Sequence, residues 1–230
     1  KWGDTWSGRA GIIGCYSCQT YKHVNSGEGG LLVSDDDELM ARAIMLSGSY
    51  MFFERHLAGP PKEAFANIKY ETPNISGRMD HLRAAILRPQ LADLDTQVTR
   101  WNERYVAVED GLQDTPGLTV VKRHEKESYV GSSIQFLLEG WSDAAVNDAI
   151  ARCGARGVDL KWFGGAEPVA FTSRYDSWRY APSEPMLATD DILRGIVDMR
   201  LPLTFSIEDC QQIARIIRAE VSAVYQGQAS

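Results

Sequence analysis

Apolar and polar positions change their spacing several times along this chain, and each change marks an element. Ala10–Cys18 (AGIIGCYSC) and Gly30–Ser34 (GLLVS) are short apolar runs, read as strands apolar on both faces, as in a covered sheet. Asp35-Asp36-Asp37 then supplies carboxylates that cap free N–H groups and favour the positive end of a helix dipole. Leu39, Ile44, Met45 and Leu46 are the apolar positions of that helix, and Gly48 ends it. Ser49 to Ser76, interrupted by Gly59-Pro60-Pro61, reads as a loop with some helix.

From Met79 to Leu112 the period lengthens. Leu82, Ala85, Ile86, Leu91, Leu94, Val98, Trp101, Tyr105 and Val108 recur at helical steps, and Pro89 should bend or divide the helix because it lacks an N–H. Thr115-Pro116-Gly117 marks a boundary. Beyond it the pattern is α+β. Strands are expected at Leu118–Val121, Ser132–Leu138, Val158–Trp162 and Arg200–Leu203, and helices at Ser142–Cys153, Thr189–Val197 and Ser206–Tyr225. Ser206 with Asp209 forms a variant capping box. Gly164 to Pro185 is a loop rich in aromatics: Phe171, Tyr175, Trp178 and Tyr180. The expected division is a first domain over 1–112, including the linking helix, and a small α+β domain over 113–230.

Composition narrows the function. A 44% hydrophobic and 24% charged chain is that of an ordinary soluble globular protein. A formal net charge of −7 argues against a nucleic-acid partner, which needs clustered Lys and Arg. No apolar stretch approaches the ~20 residues of a membrane helix. Cys15 and Cys18 make a C-x-x-C, but on an extended strand positions three apart point to opposite faces. No second pair completes a zinc set, so Cys15, Cys18, Cys153 and Cys210 are expected to be buried, reduced thiols of a cytoplasmic protein. His56, His81 and His124 have no metal-ligand spacing, and His23 reads as a loop residue; no metal site is expected.

The candidate chemistry lies at Lys22. It sits between the two predicted strands, just before the turn Gly27-Glu28-Gly29-Gly30. A lysine in such a place is most often a solvated surface residue, and the glycines need only a turn with positive φ. It is also the setting in which an amine can form a Schiff base with a carbonyl cofactor.

The segment resembles the cofactor-lysine region of the DegT/DnrJ/EryC1/StrS family, sugar aminotransferases of fold type I that use pyridoxal phosphate. The aromatic-Ser pair is Tyr16-Ser17, the lysine follows five residues after the serine, and QTYKHVNSGEGG is close to the aminocyclitol and antibiotic-sugar branch. PNISGRMDHLRAAILRPQLADLD resembles the family's N-x-R-M helix through Arg78, Met79, Leu82, Ala84, Ala85, Ile86, Gln90 and Leu91. MRLPLTFSIEDC, with Leu201, Pro202 and Leu203, resembles its C-terminal L-P-L strand.

The resemblance implies an α/β protein of the pyridoxal-phosphate-dependent transferase fold type I: part of the large domain, then the C-terminal α+β small domain. It implies the C-terminal part of a longer enzyme, since about half of a family member precedes this point. It further implies a Lys22 Schiff base with pyridoxal 5'-phosphate, Ser17 as a phosphate ligand, and Asn74 or Arg78 reaching the neighbouring subunit's cofactor. Glu28 is read as structural, an acceptor of backbone hydrogen bonds in the glycine turn. The partners implied are a keto-sugar or keto-cyclitol, an amino donor such as glutamate or glutamine, and a second copy in a homodimer with shared active sites. A dehydratase branch of the family replaces the lysine by histidine, and Lys22 argues against it. The alternatives are another pyridoxal-phosphate reaction on the same fold, or a non-catalytic binding or regulatory relative.

Overall fold

The computed structural model describes residues 1–169, 174–180 and 182–228. They fall into two units, Lys1–Asp95 with Lys126–Ser128, and Thr96–Glu125 with Tyr129–Ser230.

In the first unit, β1 (Gly14–Ser17) pairs antiparallel with β2 (Gly30–Val33), in the register Gly14↔Val33 to Ser17↔Gly30. The strand expected over Ala10–Cys18 is therefore shorter. Residues before Gly14 have no partner in β2, and the Ser34 hydroxyl instead donates to the Ile12 carbonyl at 2.6 Å. The cover expected over this sheet is not seen among the described residues. No further strand flanks β1 and β2 among the described residues, and Tyr16, Leu31, Leu32 and Val33 are 37–40% exposed.

The helix predicted after β2 is α1 (Asp37–Ser47). Asp36 caps it by accepting the Leu39 N–H at 2.9 Å, and Gly48 closes it in the left-handed region at φ 105°. Ala41, Ile44 and Met45 of α1 make a small core with Phe53, Phe65 and Ile68. Phe53 lies in a 3-10 turn (Tyr50–Arg55), Phe65 in another (Lys62–Phe65), and Ile68 opens α2 (Ile68–Glu71). The two phenylalanine rings stack with centroids 4.3 Å apart. The long helical pattern is divided into α3 (His81–Ala92) and α4 (Leu94–Leu112). The break falls at Asp93, one turn beyond Pro89, which stays inside α3; the Asp93 N–H points back to the carbonyls of Pro89 and Leu91.

In the second unit, β3 (Thr119–Val120), β4 (Ser133–Leu137), β5 (Lys161–Trp162) and β6 (Ile196–Arg200) form one antiparallel sheet in the order β3-β4-β6-β5. Its helices are α4 from Thr96 onward, α5 (Asp143–Ala155), α6 (Leu187–Gly195) and α7 (Ile207–Gln228). Alternate strand residues face one side, so Ile134, Phe136, Val197 and Met199 enter a core with Tyr105, Val108 and Leu112 of α4. Val146, Ala149 and Cys153 of α5 and Cys210, Ala214, Ile217 and Val221 of α7 complete it. Gly111 of α4 is a close-approach glycine: a Cβ there would stand 2.5 Å from that of Ala214.

Three predicted strands change. Leu118–Val121 contracts to β3, and Ile196 and Val197, expected to end a helix, begin β6. Val158–Trp162 contracts to β5, and the Leu201-Pro202-Leu203 stretch is not strand. The last strand ends at Arg200; the Leu201 N–H still reaches the Ser132 carbonyl at 2.8 Å, but Pro202 has no N–H with which to continue. Instead Leu203–Phe205 turns back under buried Arg104, whose guanidinium donates to the Phe205 carbonyl at 2.7 Å and the Leu203 carbonyl at 3.3 Å. The capping box forms: the Ser206 N–H donates to Asp209 Oδ2 at 2.8 Å and the Asp209 N–H to Ser206 Oγ at 3.0 Å.

The four cysteines are free. Cys18, Cys153 and Cys210 are buried, whereas Cys15 is exposed, because its strand is open on the face where a cover was expected. In the aromatic loop, the Trp178 and Tyr180 rings lie 5.9 Å apart, while Phe171 lies outside the described residues. No described helix is long and apolar enough to cross a membrane.

Candidate functional site

Lys22 lies at the tip of the β1–β2 hairpin. Beyond the ladder, the Cys18 N–H donates to the Gly29 carbonyl, the Thr20 N–H to the Gly27 carbonyl and the Ser26 N–H to the Cys18 carbonyl, at 2.9–3.0 Å. These bonds carry the pairing to the edge of the loop. Gly27 and Gly29 stand at φ 85° and 136°, conformations that L side chains adopt only with strain. The Lys22 N–H donates to the Gln19 carbonyl at 2.9 Å, and its own carbonyl accepts Asn25 Nδ2 at 3.0 Å. The backbone under the lysine is thus bonded on both sides, and the side chain is exposed. Ser17 ends β1 on the same hairpin, exposed, with its Oγ accepting the Gln19 N–H at 3.3 Å. Glu28 meets the loop through its carbonyl, which accepts the Ser26 hydroxyl at 3.0 Å.

The segment before α3 is fastened to the C-terminal end of α1. The Ile75 N–H donates to the Leu46 carbonyl at 2.9 Å, and Arg78 Nη1 donates to the Gly48 carbonyl at 3.1 Å. A cation on the last carbonyls of a helix complements its dipole, which explains Arg78 without any ligand. Asn74 Oδ1 accepts the Ser76 N–H at 2.7 Å, an Asx turn that holds Ser76 at φ 54°. Its hydrogen bonds run to Ser76 and not to Lys22 or Ser17, leaving Nδ2 as the donor it has to offer.

Two contacts join the lysine hairpin to α3 and to the segment just before it, and residue patterns alone did not disclose them. Gln90 pairs with the backbone of Asn25, and the Met79 methyl lies against Gly29, where an added Cβ would meet it at 2.9 Å. Both Met79 and Gln90 stand out as motif residues in the sequence. Nothing in their spacing shows that they meet a loop some sixty residues earlier.

A cavity of about 270 Å³ opens between the N-terminal loop and the hairpin, lined by Arg9, Ile12, Tyr16, Val33 and Asp35 among others. Arg9 and Asp35 form an exposed ion pair across it at 3.0 Å. Lys22, Ser17, Asn74 and Arg78 are not among its lining residues, so the chemistry is argued from the hairpin and not from this hollow. No cluster of His, Cys, Asp and Glu suited to a metal ion occurs among the described residues.

Solved structures share this fold over almost the whole chain. The aminotransferase TlmJ from Streptoalloteichus hindustanus superposes with a TM-score of 0.73 at 18% identity, over 94% of this chain and 54% of its own. DesI, crystallised in the presence of its TDP-sugar product, gives 0.69 at 20% identity, over 98% and 54%. A GDP-4-keto-6-deoxymannose-3-dehydratase with a trapped PLP-glutamate geminal diamine gives 0.69 at 17% identity, over 94% and 57%. The chain therefore spans about half the length of these proteins, and the architecture it shares with them is the pyridoxal-phosphate-dependent fold type I. At the level of sequence, the DegT/DnrJ/EryC1/StrS aminotransferase family matches residues 1–218, a span that includes the lysine hairpin, the Arg78–Gln90 stretch and the L-P-L turn. This chain belongs to the DegT/DnrJ/EryC1/StrS aminotransferase family.

Proposed function

We propose that the protein is a pyridoxal-phosphate-dependent aminotransferase acting on a keto-sugar or keto-cyclitol, with Lys22 as the residue that holds the cofactor. The observation that carries this reading is the hairpin itself: an exposed primary amine on a tip whose backbone is bonded on both sides, in a chain of this family. The donor set fits the cofactor. Lys22 offers the amine for its aldehyde, Ser17 a hydroxyl for its phosphate, and Asn74 Nδ2 a donor for a phosphate on a neighbouring copy in a homodimer. When bound, the cofactor supplies an electron sink for the substrate carbon. Released on arrival of an amino substrate, Lys22 Nζ holds and moves the proton at that carbon. Arginine in its place could do neither, because guanidinium does not lose its proton in proteins.

The sugar-modifying character of the relatives favours a keto-sugar, carried by a nucleotide as in DesI's TDP-sugar product. A dehydratase is among the relatives too, but the amine at position 22 favours amino transfer. The test adds pyridoxal phosphate, reduces with borohydride and maps the label. The expected result is a visible absorbance band lost on reduction, label on Lys22, and neither in Lys22→Ala. Transfer of nitrogen from glutamate or glutamine to a keto-sugar nucleotide would complete the assignment. Label on Lys22 without such transfer points to another pyridoxal-phosphate reaction, and absence of any label removes the proposal.

A further inference from the structure

Gln90 and Asn25 are 65 positions apart, and between them lies a two-bond tie from α3 to the lysine hairpin. Gln90 Oε1 accepts the Asn25 N–H at 3.0 Å, while Gln90 Nε2 donates to the Asn25 carbonyl at 2.8 Å. One side-chain amide thus pairs with the donor and the acceptor of one backbone residue, as a neighbouring strand would. The pairing sets the amide's orientation, since a flipped amide would face N–H to N–H and oxygen to oxygen. The second N–H of Nε2 goes to the Ile86 carbonyl at 2.9 Å, one turn back on α3, which holds the side chain in place against its own helix. The tie is part-buried, where a polar group stripped of its partner costs more than one in water. Asn25 passes the constraint on, since its own Nδ2 donates to the Lys22 carbonyl at 3.0 Å.

We infer that Gln90 is the positioning residue of Lys22: through Asn25 it fixes, from α3, the backbone that presents the amine. The inference rests on the reading of Lys22 as the cofactor lysine, although the clamp itself does not. Gln90 touches neither the amine nor any substrate atom on this account. Its effect is to hold the hairpin tip within the small range of positions from which an amine can meet a fixed carbonyl, where a misplacement near 1 Å slows reaction about a hundredfold.

The test has two independent readouts. The first is hydrogen exchange at the Asn25 amide without added cofactor, which reports opening of the clamp. The second is the rate of borohydride-trapped labelling of Lys22 by pyridoxal phosphate, with exposed Lys62 and half-buried Lys69 in the same sample as internal controls. Gln90→Met keeps length and apolar bulk but removes both bonds. It is expected to speed Asn25 exchange at least about tenfold and to slow Lys22 labelling by a similar factor, leaving the labelling of Lys62 and Lys69 unchanged. Gln90→Glu retains the acceptor but, when ionised, turns an oxygen toward the Asn25 and Ile86 carbonyls in place of the donor, so both effects should again appear. Lowering the pH until that carboxyl is neutral restores a donor, and protection of the Asn25 amide, measured against an unprotected amide at the same pH, should rise again.

Unchanged exchange at Asn25 in Gln90→Met overturns the clamp. Faster exchange with undiminished labelling at Lys22 overturns the positioning role. Should Gln90→Met fail to fold, Asn25→Ala breaks only the last link, and undiminished Lys22 labelling there overturns the inference equally. Wild-type protein with no preference for Lys22 over Lys62 and Lys69 instead refutes the cofactor-lysine reading, while exchange at Asn25 still judges the clamp.

Discussion

The two units handle apolar surface in opposite ways. In the second, a four-stranded sheet presents Ile134, Phe136, Val197 and Met199 to side chains from α4, α5 and α7, and most of these residues are wholly buried. In the first, the two-stranded sheet leaves Tyr16, Leu31, Leu32 and Val33 well over a third exposed, and its core is a separate cluster on α1 and the turns after it. A two-stranded hairpin is marginal by itself in water. The candidate chemistry stands on this open element and not on the well-packed one. Side-chain ties therefore matter more there: Gln90 to Asn25 and Asn25 to Lys22 supply constraints that core packing supplies elsewhere.

The largest test of this contrast is a pair of truncations. Phe136→Ala should lower the unfolding free energy of the second unit by about 3–5 kcal/mol, whereas Leu31→Ala on the open sheet should cost under about 1 kcal/mol. Denaturant unfolding of the two variants measures both, and similar costs would abolish the distinction. Gly111→Ala comes next. It forces a methyl against Ala214 and should cost about 1–3 kcal/mol, read as a lower denaturation midpoint. Ser206→Ala removes the acceptor for the Asp209 N–H at the head of α7 and should cost about 1 kcal/mol.

The same cap carries a pH dependence. Bonds from Ser206, first its N–H and then its hydroxyl contact, hold the Asp209 carboxyl below its usual value of 3.8. The unfolded chain therefore takes up the proton first as acid is added. The cap's contribution is complete above about pH 4 and falls away as pH drops through the lower folded value. Asp209→Asn should flatten that acid limb in thermal melts between pH 5 and 2; an unaltered limb would show that Asp209 is not responsible.

The least costly test is chemical. Burial pushes the Cys153 thiol up to about 11 and raises Cys210 as well, so both stay protonated at neutral pH. Cys15 on the open strand should be alkylated at once in native protein, Cys153 and Cys210 only after unfolding. Early modification of Cys153 would mean that the second unit is looser than its packing implies.

Much of this was legible in residue order because it depends on neighbours in the chain. Asp36 and Gly48 bracket α1, and Ser206 with Asp209 starts α7, since caps join residues within one turn. Period marked α4 and α7 for the same reason, and the motif around Lys22 identified the family that residues 1–218 match. Distant partners decided the rest. Where β1 starts depends on the length of β2, and whether Cys15 is buried depends on whether anything covers the strand. Leu201-Pro202-Leu203 reads as strand until Pro202 meets a position with no bond to give. The tie between Gln90 and Asn25 has no local trace, because a glutamine on a helix looks the same whether it faces water or grips a loop. Local chemistry follows from adjacent side chains; the bonding of the loop that carries Lys22 to α3 follows from a contact across sixty-five residues, which only the folded chain creates.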